Sequence, residues 1–116
     1  MGIIWEYHAQ LGGSLGGGGT APYFMCDTCD KKIEDGLGKI IWEQRKGPFA
    51  EGEAVNTGRF WILGKGPGHE QCETEETQRC PWNDLDEFLV NVTHNSKLDL
   101  DQAKADADER REKFGY

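Results

Sequence analysis

The chain has no long apolar run, no sizeable basic surface and none of the common nucleophile or phosphate-loop motifs. Each absence removes a class of function. No stretch approaches the roughly 20 apolar residues that a membrane span requires. The opening Met1-Gly2-Ile3-Ile4-Trp5-Glu6 has neither the basic start nor the apolar body of a secretion signal, so a cytoplasmic location is expected. In that compartment cysteines serve as thiols or metal ligands rather than as disulfides. Lysine and arginine number 13 against 21 acidic residues, a net charge of −8. Nucleic-acid binders neutralise phosphates with a basic face, so DNA or RNA is not the expected partner. A serine nucleophile motif, a paired-histidine helix motif and a phosphate loop are all missing. No catalytic residue can be nominated, and a non-enzymatic protein is expected.

Apolar material is scarce as well. Hydrophobic residues make up 36% of 116 residues, and 16 positions are glycine. A core this thin calls for a cross-link, and a chain this short holds one domain with at most a small extension.

The charge is unevenly placed. Residues 1–69 hold 8 acidic and 7 basic side chains, whereas residues 70–116 hold 13 and 6, a net −7 for the second part. This division suggests a strand-rich, glycine-rich domain over 1–81 and an acidic helical extension packed on it over 82–116.

Residue patterns place the elements. Ile3 to His8, Lys39 to Glu43 and Arg59 to Leu63 are rich in β-branched and aromatic side chains and are expected as strands. Ile3-Ile4-Trp5-Glu6 recurs as Ile40-Ile41-Trp42-Glu43, a likeness that two strands of similar role explain without duplication. Leu11 to Gly19 is dominated by glycine and is expected as a mobile loop. Gly47-Pro48 marks a turn, and Gly64, Gly66, Pro67 and Gly68 break the third strand ahead of His69. From His69 to Arg79 a short helix is expected, stopped by Pro81. A second helix, capped by Asn83 or Asp84, carries Leu85, Phe88, Leu89 and Val92 at helical spacing. A third begins at Asp99, which with Gln102 approximates a capping box, and its apolar side is Leu100, Ala103, Ala107 and Phe114. The fold class is therefore α+β: a small antiparallel sheet followed by two or three short C-terminal helices.

What the chain does contain is two matched pairs of metal ligands, Cys26-Asp27-Thr28-Cys29 and His69-Glu70-Gln71-Cys72. Two residues between ligands let one tight turn aim both side chains at one ion. Three thiolates and an imidazole make up a set that tetrahedral Zn²⁺ accepts. At these residues the chain resembles a treble-clef or zinc-ribbon-like finger, Cys-x2-Cys…His-x2-Cys, over about residues 23–79. The resemblance implies a closed, structural zinc site and no particular partner. The 39 residues from Asp30 to Gly68 exceed the separation in most compact fingers. Cys80 follows closely and is a possible substitute for His69 or Cys72.

Two further readings stay open at this point. Lys31, Lys32, Arg45 and Lys46, with Trp42 or Trp61 for stacking, would be the contacts of a nucleic-acid-binding finger. Cys26 and Cys29 alone would be a redox pair, although the glycine-broken flanks do not supply the alternating strands and helices of that fold. The favoured reading is a small zinc-binding protein that offers its acidic helices to a protein partner with a basic surface. Its size, acidity and polyglycine segment resemble the accessory or inhibitor proteins of bacteria and their phages.

Overall fold

Ile40-Ile41-Trp42 and Phe60-Trp61-Ile62-Leu63 are the most strand-prone segments of the chain, and the computed structural model pairs them at the centre of a sheet. It describes residues 2–9, 19–34 and 36–114. Most of the expected glycine loop (11–18) lies outside those residues, as does Gly115, the residue whose type and place after Phe114 suit the end of the third helix.

In chain order the elements are β1 (Ile3–His8), β2 (Gly19–Phe24), β3 (Gly38–Gln44), β4 (Asn56–Gly64), α1 (Glu75–Gln78), β5 (Trp82–Asp84), α2 (Leu85–Asn95) and α3 (Leu100–Phe114). The class is α+β, with two small antiparallel sheets rather than the single sheet expected. One sheet is β1-β2 and the other has the order β4-β3-β5. In the second sheet Gly38 lies opposite Gly64, Ile41 opposite Trp61 and Trp42 opposite Phe60. An irregularity follows between Trp42 and Gln44.

Two strands escaped the sequence reading for physical reasons. β2 reads Gly-Thr-Ala-Pro-Tyr-Phe, and its proline is tolerated because every strand of a two-stranded sheet is an edge. β5 has only three residues, yet it extends the sheet at Lys39, Ile40 and Ile41. Pro81, which cannot donate, still accepts the Trp42 amide at 3.1 Å.

The chain divides into two compact units. The first comprises residues 1–2 and 24–88. It holds the core: Cys26, Ile33, Ile40, Ile41, Ile62, Leu63, Cys72 and Leu85 are all buried, and Phe24, Trp61, Cys80 and Phe88 pack partly against them. Residues 82–88 thus belong with the sheet, past the boundary expected at 81. Two of the eight buried core residues are cysteines, which leaves six to supply conventional apolar packing.

The second unit comprises residues 3–23 and 89–116. Asp99 caps α3 by accepting the Gln102 amide at 3.0 Å, while the Gln102 side chain turns forward to Asp106 at 2.9 Å instead of closing a capping box. Glu109 and Lys113 form an i,i+4 pair at 3.0 Å. No residue of α3 is buried, and Leu100 and Phe114 of its apolar side are exposed.

Leu85 is the one buried residue of α2 and sits at 2% exposure in the six-member apolar core. Leu85→Ala is expected to cost about 3 kcal/mol, the usual range for opening a leucine-sized cavity. Denaturant unfolding checks this, with Val90→Ala, at a 68% exposed position of the same helix, as the near-neutral comparison.

Candidate metal centre

The Cys26–Cys29 turn is built by the backbone around it. The Cys26 amide donates to the Lys31 carbonyl at 2.9 Å, and the Asp30 amide closes back onto the Cys26 carbonyl at the same distance. Asp30 takes φ of 60°, the left-handed conformation that aspartate tolerates better than most side chains. Asp27 docks the turn on β4. Its amide donates to the Ile62 carbonyl at 2.7 Å, and its carboxylate accepts the Ile62 amide at 2.8 Å.

The second pair lies on a turn, not on a helix as expected. The His69 amide donates to Gly66 and the Cys72 amide to His69, at 3.0 and 3.1 Å. Gly66 and Gly68, at φ of +86° and +87°, bring the chain round to His69. Helix begins only after Thr74, which is extended (φ −98°, ψ 168°) and shares a capping box with Thr77. A Thr-x-x-Thr box lacks the usual Glu or Gln at its fourth position, so the sequence did not announce it. The Thr28 hydroxyl donates to the Cys72 carbonyl at 2.7 Å and ties the two turns together.

These turns bring Cys26, Cys29, His69 and Cys72 into one cluster whose ligand atoms all lie within 4.8 Å of one another. His69 presents Nδ1, at 3.4 Å from the Cys29 sulfur and 3.5 Å from the Cys72 sulfur. A tetrahedron with Zn–S near 2.3 Å and Zn–N near 2.0 Å has S···N edges of about 3.5 Å. The donor set and its spacing fit such an ion. Cys26 and Cys72 are buried, while Cys29 and His69 are partly exposed, so one side of the cluster meets solvent.

Electrostatics point the same way. Burial opposes ionisation of Cys26. The backbone amides of Cys29, Gly64 and Thr28, with the Cys29 thiol, more than offset it and bring the thiol from 9.0 down to about 6. For Cys72, burial and then the neighbouring Cys26 and Cys29 sulfurs push the thiol from 9.0 up to about 12. Three sulfurs this close do not all ionise unless a cation joins them, and a divalent metal removes that conflict. On the rim, hydrogen bonds from its own amide and from Gly68 hold the Glu70 carboxyl below its usual range. The carboxylate oxygens lie 3.1 and 3.2 Å from the Gly68 nitrogen.

Gly64 serves the site twice. Its amide is one of the donors to Cys26, and a β-carbon at this position would clash with the His69 ring. Asp27, Thr28 and Gly64 were not singled out from sequence as site residues. Asp27 and Thr28 lie between the cysteines, but their long-range partners, Ile62 and Cys72, become visible only in the fold.

Cys80 stands apart from the cluster. Its sulfur donates to the Glu76 carbonyl at 3.5 Å at the end of α1, while His69 and Cys72 both occupy the positions it was held ready to fill. The basic residues do not form one surface. Lys31 and Lys32 line a hollow beside His69, and Lys32 pairs with Glu34 at 3.5 Å. Arg45 and Lys46 follow the far end of β3, about 20 Å along the strand from Gly38 and Gly64. Arg45 is engaged by Glu53, by the Ala54 carbonyl and by the Phe49 ring. Of the two candidate stacking rings, Trp61 lies under the Arg59 guanidinium at 4.9 Å, and the Trp42 indole donates to Gln44 at 3.1 Å.

No family model, curated protein or solved structure matches the chain. The geometry of the cluster therefore carries the functional reading.

Gly64→Ala is expected to lower the affinity for a divalent metal at least tenfold by displacing His69, the scale on which groups supporting a ligand act. Cys80→Ser is expected to leave affinity unchanged. Competition titration against a chromophoric chelator measures both.

Proposed function

We propose that Cys26, Cys29, His69 and Cys72 hold a structural Zn²⁺, and that this protein is a non-enzymatic interaction module built around it. The observation that carries the reading is the completeness of the cluster: four protein ligands converge on one point. Structural zinc sites are closed in this way, whereas catalytic ones keep a position for water. Two ligand-bearing turns joined through a β3–β4 hairpin, with the second pair ahead of the helix, favour the ribbon-like form of the finger over the helix-borne treble clef. Four free cysteines fit a reducing compartment such as the cytoplasm, and among the described residues no helix is long and apolar enough to cross a membrane.

The contact surface, on this reading, is the acidic helical part after Cys72, and its partner carries a basic surface. The net −7 of residues 70–116 supports this, because such a field steers cationic partners and repels nucleic acid. Lys31, Lys32, Arg45 and Lys46, the contacts of the nucleic-acid alternative, are split between two ends of a strand, which disfavours that reading. The redox alternative treats Cys26 and Cys29 as a pair alone, and His69 at 3.4 Å from Cys29 makes a metal the simpler account.

Native mass spectrometry of the folded protein is expected to show one zinc per chain. Chelation, or Cys26→Ser, is expected to abolish the cooperative unfolding transition, since zinc binding and folding are one equilibrium in small metal-dependent domains. A folded chain of metal-free mass would refute the assignment.

A further inference from the structure

We propose that β1 pairs edge to edge with β1 of a second copy of this chain, giving a symmetric dimer with Trp5 on its two-fold axis. The inference goes beyond the metal and partner readings and uses neither the ligand cluster nor the acidic helices.

One side of the β1 backbone is left without a partner strand. The Gly2 carbonyl accepts the amide of Met25, which directly follows β2, at 2.8 Å. Backbone groups alternate along a strand, so those of Ile4, Glu6 and His8 face β2. The N–H and C=O groups of Ile3, Trp5 and Tyr7 then face the opposite edge. Among the described residues no further strand lies along that edge, because the sheet consists of β1 and β2. The side chains of these residues are bare as well. Ile3, Trp5 and Tyr7 are 43%, 61% and 66% exposed, while the positions between them are half-buried.

The two edges of this sheet are treated differently. The same alternation turns the backbone of Pro22 in β2 away from β1, and its missing N–H closes that edge to another strand. β1 has no such guard. Ile3–His8 contains no proline, lysine or glycine, and its open edge carries an aliphatic and two aromatic side chains.

The sequence of β1 selects its own copy as the occupant. Antiparallel pairing about Trp5 sets Trp5 opposite the second copy's Trp5, and Ile3 opposite its Tyr7. In both cases the paired residues are those whose backbone groups point outward, so each pair exchanges two hydrogen bonds. On the other face Ile4 lies opposite Glu6, and no like charges meet. Sliding the register by two residues one way opposes Glu6 to Glu6, and the other way carries Tyr7 past the end of the strand. One register thus combines full pairing with matched charge, and it is self-complementary, as a two-fold interface requires.

The test uses the full chain as purified. Sedimentation velocity and native mass spectrometry should show a dimer at about 50 µM protein in about 150 mM salt. Each copy carries net −8, so added salt should tighten the dimer, whereas it would weaken the hold on a basic partner. Trp5→Pro should weaken association at least about tenfold and leave a folded monomer by circular dichroism, because the N–H it removes faces outward. Trp5→Lys and Trp5→Glu each place like charges on the axis and should be monomeric alone. Mixed in equal amounts, they should form a heterodimer recognised by its mass. A monomeric unaltered chain, a dimer that Trp5→Pro leaves intact, or a Trp5→Pro chain that unfolds would overturn the proposal. So would failure of the two charged variants to associate with each other. Zinc content is read from the same spectra, so the metal assignment stands or falls separately.

Discussion

Three sulfurs and one imbalance of charge govern this protein. Cys26, Cys29 and Cys72 sit close enough that ionising the first two makes ionisation of the third strongly unfavourable, yet the backbone is arranged to favour a thiolate at Cys26. A cation at the centre satisfies both demands at once. The surrounding features follow from it. Two glycine- or aspartate-permitted turns aim the ligands, Asp27 and Thr28 fasten those turns to β4 and to each other, and Gly64 gives up its side chain to the His69 ring.

This arrangement substitutes for a core. Eight residues are buried in an apolar cluster, and two of them belong to the candidate metal cluster, so that cluster lies within the packing and not beside it. On the proposed reading, loss of the metal would leave Cys26 and Cys72 as buried thiols and release the turns that carry them. In the other compact unit, α3 buries nothing and the α2–α3 turn carries a strained lysine beside bare leucines. Stability is concentrated in the first unit. The second keeps exposed apolar and charged surface, which is the material of recognition.

The sequence was most legible where chemistry is local. The four side chains that cluster were readable because two residues between donors fit one turn, β1 because it is rich in β-branched and aromatic residues, and α2 and α3 because their apolar residues fall at helical spacing. It was least legible where a contact spans the chain. The Asp27–Ile62 and Thr28–Cys72 bonds join residues 35 and 44 positions apart, which no local pattern encodes. The helix expected from His69 failed because Thr74 and Thr77 form an unadvertised capping box five residues on, leaving the ligand pair in a turn. β5 was hidden by its length and by Pro81, and β2 by a glycine and a proline that only an edge strand accepts. Cys80 could be set aside only once its sulfur was seen directed at the Glu76 carbonyl.

The central claim is that one zinc ion is held by three cysteines and the Nδ1 of His69. Zinc K-edge X-ray absorption on the purified, folded protein tests it most directly. The account predicts a first shell of three sulfurs near 2.3 Å and one nitrogen near 2.0 Å. A shell of four sulfurs, which would bring Cys80 to the metal, or a folded protein that holds no zinc, would contradict it.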